Sequence, residues 1–377
     1  MIDFKKINPA IAYLNSLSAL INHNVVNLAS ESQDFTPHKK LIKAATQSLE
    51  RNHLSDDPNG YLPLREKISK FIQKEYTYTF NPEEEITITA GTSQAIATAI
   101  SAFVSEGDEV ILFEPAFYNY DMMVIANGGR PVYIQMKQPD FRLDWADVQK
   151  VITNRTKMII VNSPHYPTGS IITAGDLERL AKIVNGTKII ILSDESFHQI
   201  VFEGYEHQSI ARFPKLAERS IIVSSFDKAL HIEGWKIGYC LAPAKISSDF
   251  RRFQYLQTSP VNTPFQIALA EFLTEPEIHA DVIKTFQTKR DIIVNGLKHS
   301  KFKISPAKGT YFQILNYADI SEEKDIDFCN HLSDHYKIAV MPLSFFFHDL
   351  IDLRCIRICF AKSDETLHKA VEILNQL

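Results

Sequence analysis

The stretch SSFDKALHIEGWKIGYC, residues 224–240, decides how this chain is read. Its two lysines, Lys228 and Lys236, stand eight residues apart around Gly234 and Trp235, just after the apolar run Ser220–Val223. Lysine is rarely buried unless it has a partner or a task. In an open α/β sheet, ligands gather at the carboxyl ends of the strands. Two cations just beyond a strand therefore mark a candidate site, provided the rest of the chain builds such a sheet.

It has the pattern to do so. From residue 85 onward, β-rich runs alternate with helical ones. Glu85–Ala90, Glu109–Phe113, Pro131–Gln135, Lys157–Val161, Lys188–Leu192, Ser220–Ser224 and Ile237–Leu241 read as strands, and Gln94–Ile100 and Ala174–Val184 as helices between them. The runs KMIIV and KIIIL are apolar on both faces, as strands covered by helices on each side must be. The alternation predicts an α/β fold with a doubly wound, mostly parallel sheet. After about residue 276 a helix through Glu277–Leu297 leads to Phe312–Leu315, Asp325–His335, Ile338–Met341, Arg354–Phe360 and Asp364–Leu377, the rhythm of a smaller α+β domain. The expected division is a segment over 1–45, without a sheet of its own, packing with the small domain; a large domain over 46–276; and the small domain over 277–377.

Composition narrows the function. The 377 residues are 45% hydrophobic and 23% charged, ordinary for a soluble globular chain. Forty basic against 45 acidic residues leave a net charge of −5 without long runs, which argues against nucleic acid or a membrane surface as the main partner. MIDFKKINPAIAYLNSLSAL lacks the features of a secretory signal, and no apolar run reaches the length of a membrane span. Cys240, Cys329, Cys355 and Cys359 form no CxxC pair and read as buried thiols in a reducing cytoplasm, with no metal called for.

The residues that follow each strand carry the chemistry. After EITITA comes Gly91-Thr92-Ser93 at a helix start, where free backbone N–H groups and the positive end of the dipole suit a phosphate. After EVILF comes Glu114-Pro115-Ala116-Phe117; after KMIIV, NSPHYPTG; after KIIIL, Ser193-Asp194-Glu195; after SIIVS, Ser225-Phe226-Asp227-Lys228. One edge would thus gather an anion cup, an aromatic face, an acid and a lysine. Taken singly each has an ordinary reading: a turn that likes Gly and Thr, core packing for Phe117, a helix N-cap for Asp194.

Taken together, TAGTSQA, DEVILFEPAF, NSPHYPTG, SDESF, SFDKALHIEGWKIGYCLAP, PAKGTYF and IRICFAK fall in order over nearly the whole chain. In them the sequence resembles the fold-type I pyridoxal 5′-phosphate (PLP) enzymes of the class I/II aminotransferase family, nearest the methionine, kynurenine and glutamine transaminases. The resemblance implies that Lys228 is the Schiff-base lysine, which holds the cofactor covalently. Among positive neighbours and low-dielectric walls, such a lysine loses its proton more readily. It implies that Asp194 pairs with the pyridine nitrogen, that Phe117 stacks on the ring, and that Ser225 and Lys236 join Gly91, Thr92 and Ser93 on the phosphate. Lysine offers a point charge at position 236, where many relatives use the fork of arginine. It implies too that Arg357 clamps the substrate carboxylate, while Arg354 reads as a surface residue.

Four positions depart from the family pattern. Tyr166 stands where an asparagine donates to the cofactor's phenolic oxygen, and Phe197 where a tyrosine does the same. The two changes suggest a swap, with Tyr166 supplying that hydrogen bond alone. Glu31, in ASESQDF, replaces a glycine in the substrate-side loop. There it would disfavour acidic side chains and welcome polar or cationic ones, unless it faces solvent or pairs with Arg357. Ser55 falls where a tyrosine crosses a dimer interface to the phosphate, with Tyr61 nearby. The implied reaction is transfer of an amino group between an L-amino acid and a 2-oxo acid by a ping-pong route in a cytoplasmic homodimer. The rivals are another PLP reaction, such as β-elimination at a C–S bond, and a non-catalytic PLP-binding protein.

Overall fold

Successive residues of a strand point to opposite faces of its sheet, so a strand buried on both sides must split its side chains between two cores. In the central strands Val110, Leu112, Met158, Ile160, Leu192, Ile221 and Val223 enter one apolar cluster. Their neighbours Ile111, Phe113, Ile159, Val161, Ile191 and Ile222 enter another on the far face. This two-sided burial is what the runs KMIIV and KIIIL encode.

The structure is a computed structural model and describes residues 10–13, 15, 25–50, 57–76, 78–273 and 278–377. Its strands are β1 Val26–Asn27, β2 Ile86–Thr89, β3 Glu109–Glu114, β4 Arg130–Gln135, β5 Thr156–Asn162, β6 Ile190–Asp194, β7 Ser220–Ser225, β8 Gly238–Leu241, β9 Phe312–Asn316, β10 Ile338–Ala339, β11 Met341–Pro342 and β12 Cys355–Cys359. The large sheet has seven strands in the order β2-β8-β7-β6-β5-β3-β4. β4, β3, β5, β6 and β7 run parallel. β8 alone is antiparallel to its neighbours β7 and β2. The fold is thus α/β with a mostly parallel sheet.

That one reversal matters for the site. β2 and β7 both end at the carboxyl edge, and β8 starts there between them, with Gly238 registered against Thr89 and Ser225. Lys236, two residues before β8, is therefore delivered to the same edge as Lys228.

The C-terminal part has its own antiparallel sheet, β11-β12-β9. The run Ile338–Met341, expected as one strand, divides between two sheets: β10 pairs with β1, and β11 with β12. Val340, between the two short strands, is fully buried. The pairing of β1 with β10 also gives the N-terminal segment a short strand, borrowed from the C-terminal part. All four cysteines are buried and unpaired. No helix among the described residues is long and apolar enough to cross a membrane.

Candidate active site

Gly91 opens the helix Gly91–Phe103 at φ +80°, a conformation that glycine adopts without strain. The first-turn N–H groups of a helix lack intrahelical partners and carry the positive end of its dipole. Gly238 packs against that turn so closely that a Cβ there would fall 2.7 Å from the Gly91 carbonyl carbon and 3.0 Å from the Thr92 nitrogen. The aliphatic part of Lys236 lies alongside, 3.6 Å from where a Gly91 Cβ would stand. Ser225 closes the cup from the end of β7, its hydroxyl donating to Asp227. Burial raises the pKa of Asp227, against the opposing pull of Lys228. Glycines with no room for a side chain, free N–H groups, hydroxyls and a lysine make a donor set that suits a phosphate.

Asp194 is buried at the end of β6. Its Oδ2 accepts from the Tyr120 hydroxyl at 2.5 Å. Its Oδ1 accepts from the Ser196 backbone N–H at 3.0 Å and from the Ser196 hydroxyl. Burial raises its pKa, while Ser196, Tyr120 and Lys228 pull the other way. A carboxylate oxygen has two lone pairs, so Oδ2 retains one for a cationic N–H, which would complete the ionised form. Asn162 Nδ2 holds the Asp194 backbone carbonyl at 2.8 Å and ties β5 to β6 at this point. Phe117 lies near, its ring 5.3 Å from that of Tyr120 and 5.5 Å from that of Tyr166.

Lys228 is 19% exposed, and its Nζ donates to Glu233 Oε1 at 2.7 Å. The same oxygen accepts from the Tyr311 hydroxyl at 2.6 Å and Gln33 Nε2 at 3.3 Å. Nζ also lies over the rings of Phe197 and Tyr311, at 5.6 and 6.0 Å. The expectation that its neighbours would be positive is corrected here. Burial does favour loss of the proton, but Glu233 and Asp227 outweigh it, and the pKa of Lys228 is raised.

Arg357, on β12, is fully buried. Its Nη1 donates to Glu31 Oε1 at 3.1 Å and its Nη2 to the Ala29 carbonyl, while the guanidinium lies 4.6 Å over the Phe312 ring. Its Nε is a buried donor with no hydrogen-bond partner among the described residues. The Tyr166 hydroxyl donates to the same Glu31 oxygen. The expected swap at the cofactor's phenolic oxygen is corrected accordingly: the hydroxyl of Tyr166 is spent on Glu31. The attraction has a plain cause, because a carboxylate accepts more strongly than a neutral oxygen. Arg354 is exposed. Ser55 lies outside the described residues; Tyr61 is partly buried and its backbone N–H donates to Gln266.

The strand ends thus bring Gly91, Thr92, Ser93, Phe117, Asp194, Phe197, Ser225, Lys228 and Lys236 to one edge, and β12 brings Arg357 with Glu31 and Tyr166. Their donors, the flat ring and the buried acid fit PLP. Sequence reading missed Tyr120, Ser196, Gln33, Tyr311 and Glu233. Of these Glu233 stood in the opening stretch, an acid between two lysines, and could have been weighed as their partner. A cavity of about 830 Å³ beside Trp145, His165 and Arg179 touches this site only through Tyr120 and Asn162.

Comparison with known proteins agrees with this geometry. The family model for aminotransferase class I and II matches residues 23–374. A methionine aminotransferase of Escherichia coli is 37% identical over 369 residues, covering 96% of this chain and 94% of that one. A kynurenine–oxoglutarate transaminase of Dictyostelium discoideum is 28% identical, covering 95% and 92%. The crystal structure of YbdL from Escherichia coli, described as a methionine aminotransferase, superposes with a TM-score of 0.94 at 36% identity, covering 97% of this chain and 96% of that one. The chain belongs to the class I and II aminotransferases and is a PLP-dependent enzyme of amino-group transfer.

Proposed function

We propose that this enzyme transfers the amino group of a neutral, largely apolar L-amino acid, such as methionine, to a 2-oxo acid. The observation that carries this reading is the wall around Arg357: Tyr166, Phe312 and Phe346 ring it, with the guanidinium 4.6 Å over Phe312 and 5.8 Å over Phe346. A thioether side chain packs well against aromatic rings. An acidic one would lose its hydration against the same rings. The likeness to methionine aminotransferase supports the same donor class.

Bound PLP supplies an electron sink for the electrons left on the substrate's α-carbon. The roles we assign follow from position. Lys228 attaches the cofactor and afterwards moves the α-proton on its Nζ. Asp194 holds the pyridine N–H, Phe117 lies on the ring face, and Ser225, Lys236 and the N–H groups of Gly91, Thr92 and Ser93 hold the phosphate. Arg357 takes the substrate carboxylate. Glu31 then has a clear task, because a fully buried guanidinium left without a partner costs about 3–5 kcal/mol. Its carboxylate stands in for that of the substrate and yields to it. We further assign a large domain over 46–276 and a small one over 277–377, and place the enzyme as a homodimer in the cytoplasm.

The test is to incubate the purified protein and PLP with a panel of amino acids and a 2-oxo acid and identify the products. Methionine and aromatic donors should lead, and aspartate should be poor. Release of ammonia and a thiol, together with a 2-oxo acid that has lost the sulfur-bearing group, would identify elimination instead. Glu31→Gly should lower KM about tenfold for donors of every class without reordering them, since a hydrogen bond to a charged group is worth about 1.5–3 kcal/mol. A reordered panel would show that Glu31 reads side chains.

A further inference from the structure

The roles above leave the Lys228–Glu233 pair without an explanation. Resting on the reading of Lys228 as the attachment residue, we propose that Glu233 is its positioning residue: it holds the amine as an ammonium ion and so sets the pH at which Lys228 bonds to the cofactor's aldehyde carbon.

The geometry singles out Glu233. Its Oε1 lies 2.7 Å from Lys228 Nζ and is held there by Tyr311 and Gln33. Gln33 also donates to the Lys228 backbone carbonyl at 2.9 Å, so one side chain fixes both members of the pair. Other charged groups face the amine from each element around it. Asp227 precedes it in the same turn, Glu31 acts from the N-terminal segment and Asp194 from the end of β6. Lys236 opposes Asp227 from the start of β8. The phenols of Tyr118 and Tyr311 stay protonated, their pKa values raised by burial. Burial pushes His231 down to about 4, which leaves it neutral beside Gln33. Among these groups Glu233 is the one in ion-pair contact with Nζ.

Attachment requires a lone pair on nitrogen. Lys228 must first give one ammonium proton to Glu233 or to solvent. Its nitrogen then bonds to the aldehyde carbon, and the carbonyl oxygen leaves as water with the two remaining nitrogen protons. Burial alone would favour the free amine. Glu233 withholds it, and below the amine's pKa each pH unit changes its abundance tenfold.

The test measures attachment rather than turnover. The full chain is stripped of cofactor and mixed with PLP at a series of pH values from about 6 to 9. The adduct is fixed with borohydride, counted by intact mass and located by peptide mapping. For the natural chain the rate should keep climbing through the series; a plateau near neutrality overturns the proposal without any variant. Glu233→Gln should shift the profile to lower pH and attach PLP about tenfold faster or more near pH 7. Coincident profiles, with the adduct on Lys228 in both, overturn the role of Glu233 alone. An adduct that maps to another lysine, or that survives Lys228→Ala, overturns the assignment of Lys228 and the proposal with it.

Discussion

His165 shows what burial does to a single side chain in this molecule. Its Nδ1 lies 2.8 Å from the Thr168 hydroxyl, and burial pushes its pKa down to about 3. An unfolded histidine titrates near 6.5. Between those values the unfolded chain binds a proton that the folded chain refuses, so stability rises with pH across that window. Acidification from about pH 6.5 to pH 5 should therefore remove about 2 kcal/mol through His165 alone. His165→Asn should flatten the fall of Tm over this range relative to the natural chain, as read by thermal unfolding at matched ionic strength. Parallel curves would assign the acid sensitivity elsewhere. His165 was in plain view in NSPHYPTG, yet its titration depends on packing that no motif records. The same holds for Gln33, which meets Lys228 across 195 residues of chain. The positions of Lys228 and Asp194 at strand ends, and of Arg357 within a strand, were legible from the pattern, while the roles expected of them came from the resemblance.

Secondary-structure elements set how closely two motifs can approach, and glycine marks the tightest places. A Cβ on Gly309 would lie 2.7 Å from the Ile200 carbonyl oxygen and 2.8 Å from Pro164 Cβ. Through it PAKGTYF is pressed against NSPHYPTG, with the N–H groups of Lys308 and Gly309 donating to the Gly169 carbonyl at 2.9 and 3.1 Å. Tyr311, two residues on, is thereby carried to Glu233. Gly309→Ala should cost about 1–3 kcal/mol by overpacking, seen as a lower midpoint in urea. Gly175→Ala, in the helix Ala174–Val184 with its nearest contact at 3.8 Å, should instead gain up to about 1 kcal/mol from helix propensity. Equal midpoints for the two variants would sink this account. The strands themselves were readable from two-sided apolar runs. The direction of β8 was not, because periodicity is the same for parallel and antiparallel pairing. Nor was the division of Ile338–Met341 between two sheets, which is fixed by partners far away in sequence.

At the scale of the whole molecule, the surface carries information that composition averages away. A net charge of −5 spread over 377 residues says little about assembly. The helix Ala244–Gln257 says more, since it buries Phe250 and Gln254 on one side while Phe253, Tyr255 and Leu256 are 38%, 66% and 81% exposed on the other. A run of large apolar side chains left in water marks a surface for association, and aromatic residues are common among those that dominate binding. The face borders the turn at Pro58 and Asn59, with Arg251 and Arg252 supplying a polar rim. We therefore expect the homodimer proposed above to form through this helix. Sedimentation velocity should find the natural chain dimeric, and Leu256→Glu should weaken dimerisation at least tenfold, about 1.4 kcal/mol, while leaving the circular dichroism unchanged. Leu256 is 81% exposed and is not one of the site residues named above, so the fate of activity on dissociation is then informative. Loss of turnover together with the dimer would mean that each site needs its neighbour. A natural chain that sediments as a monomer, or a Leu256→Glu variant that remains as dimeric as its parent, would rule this face out as the interface.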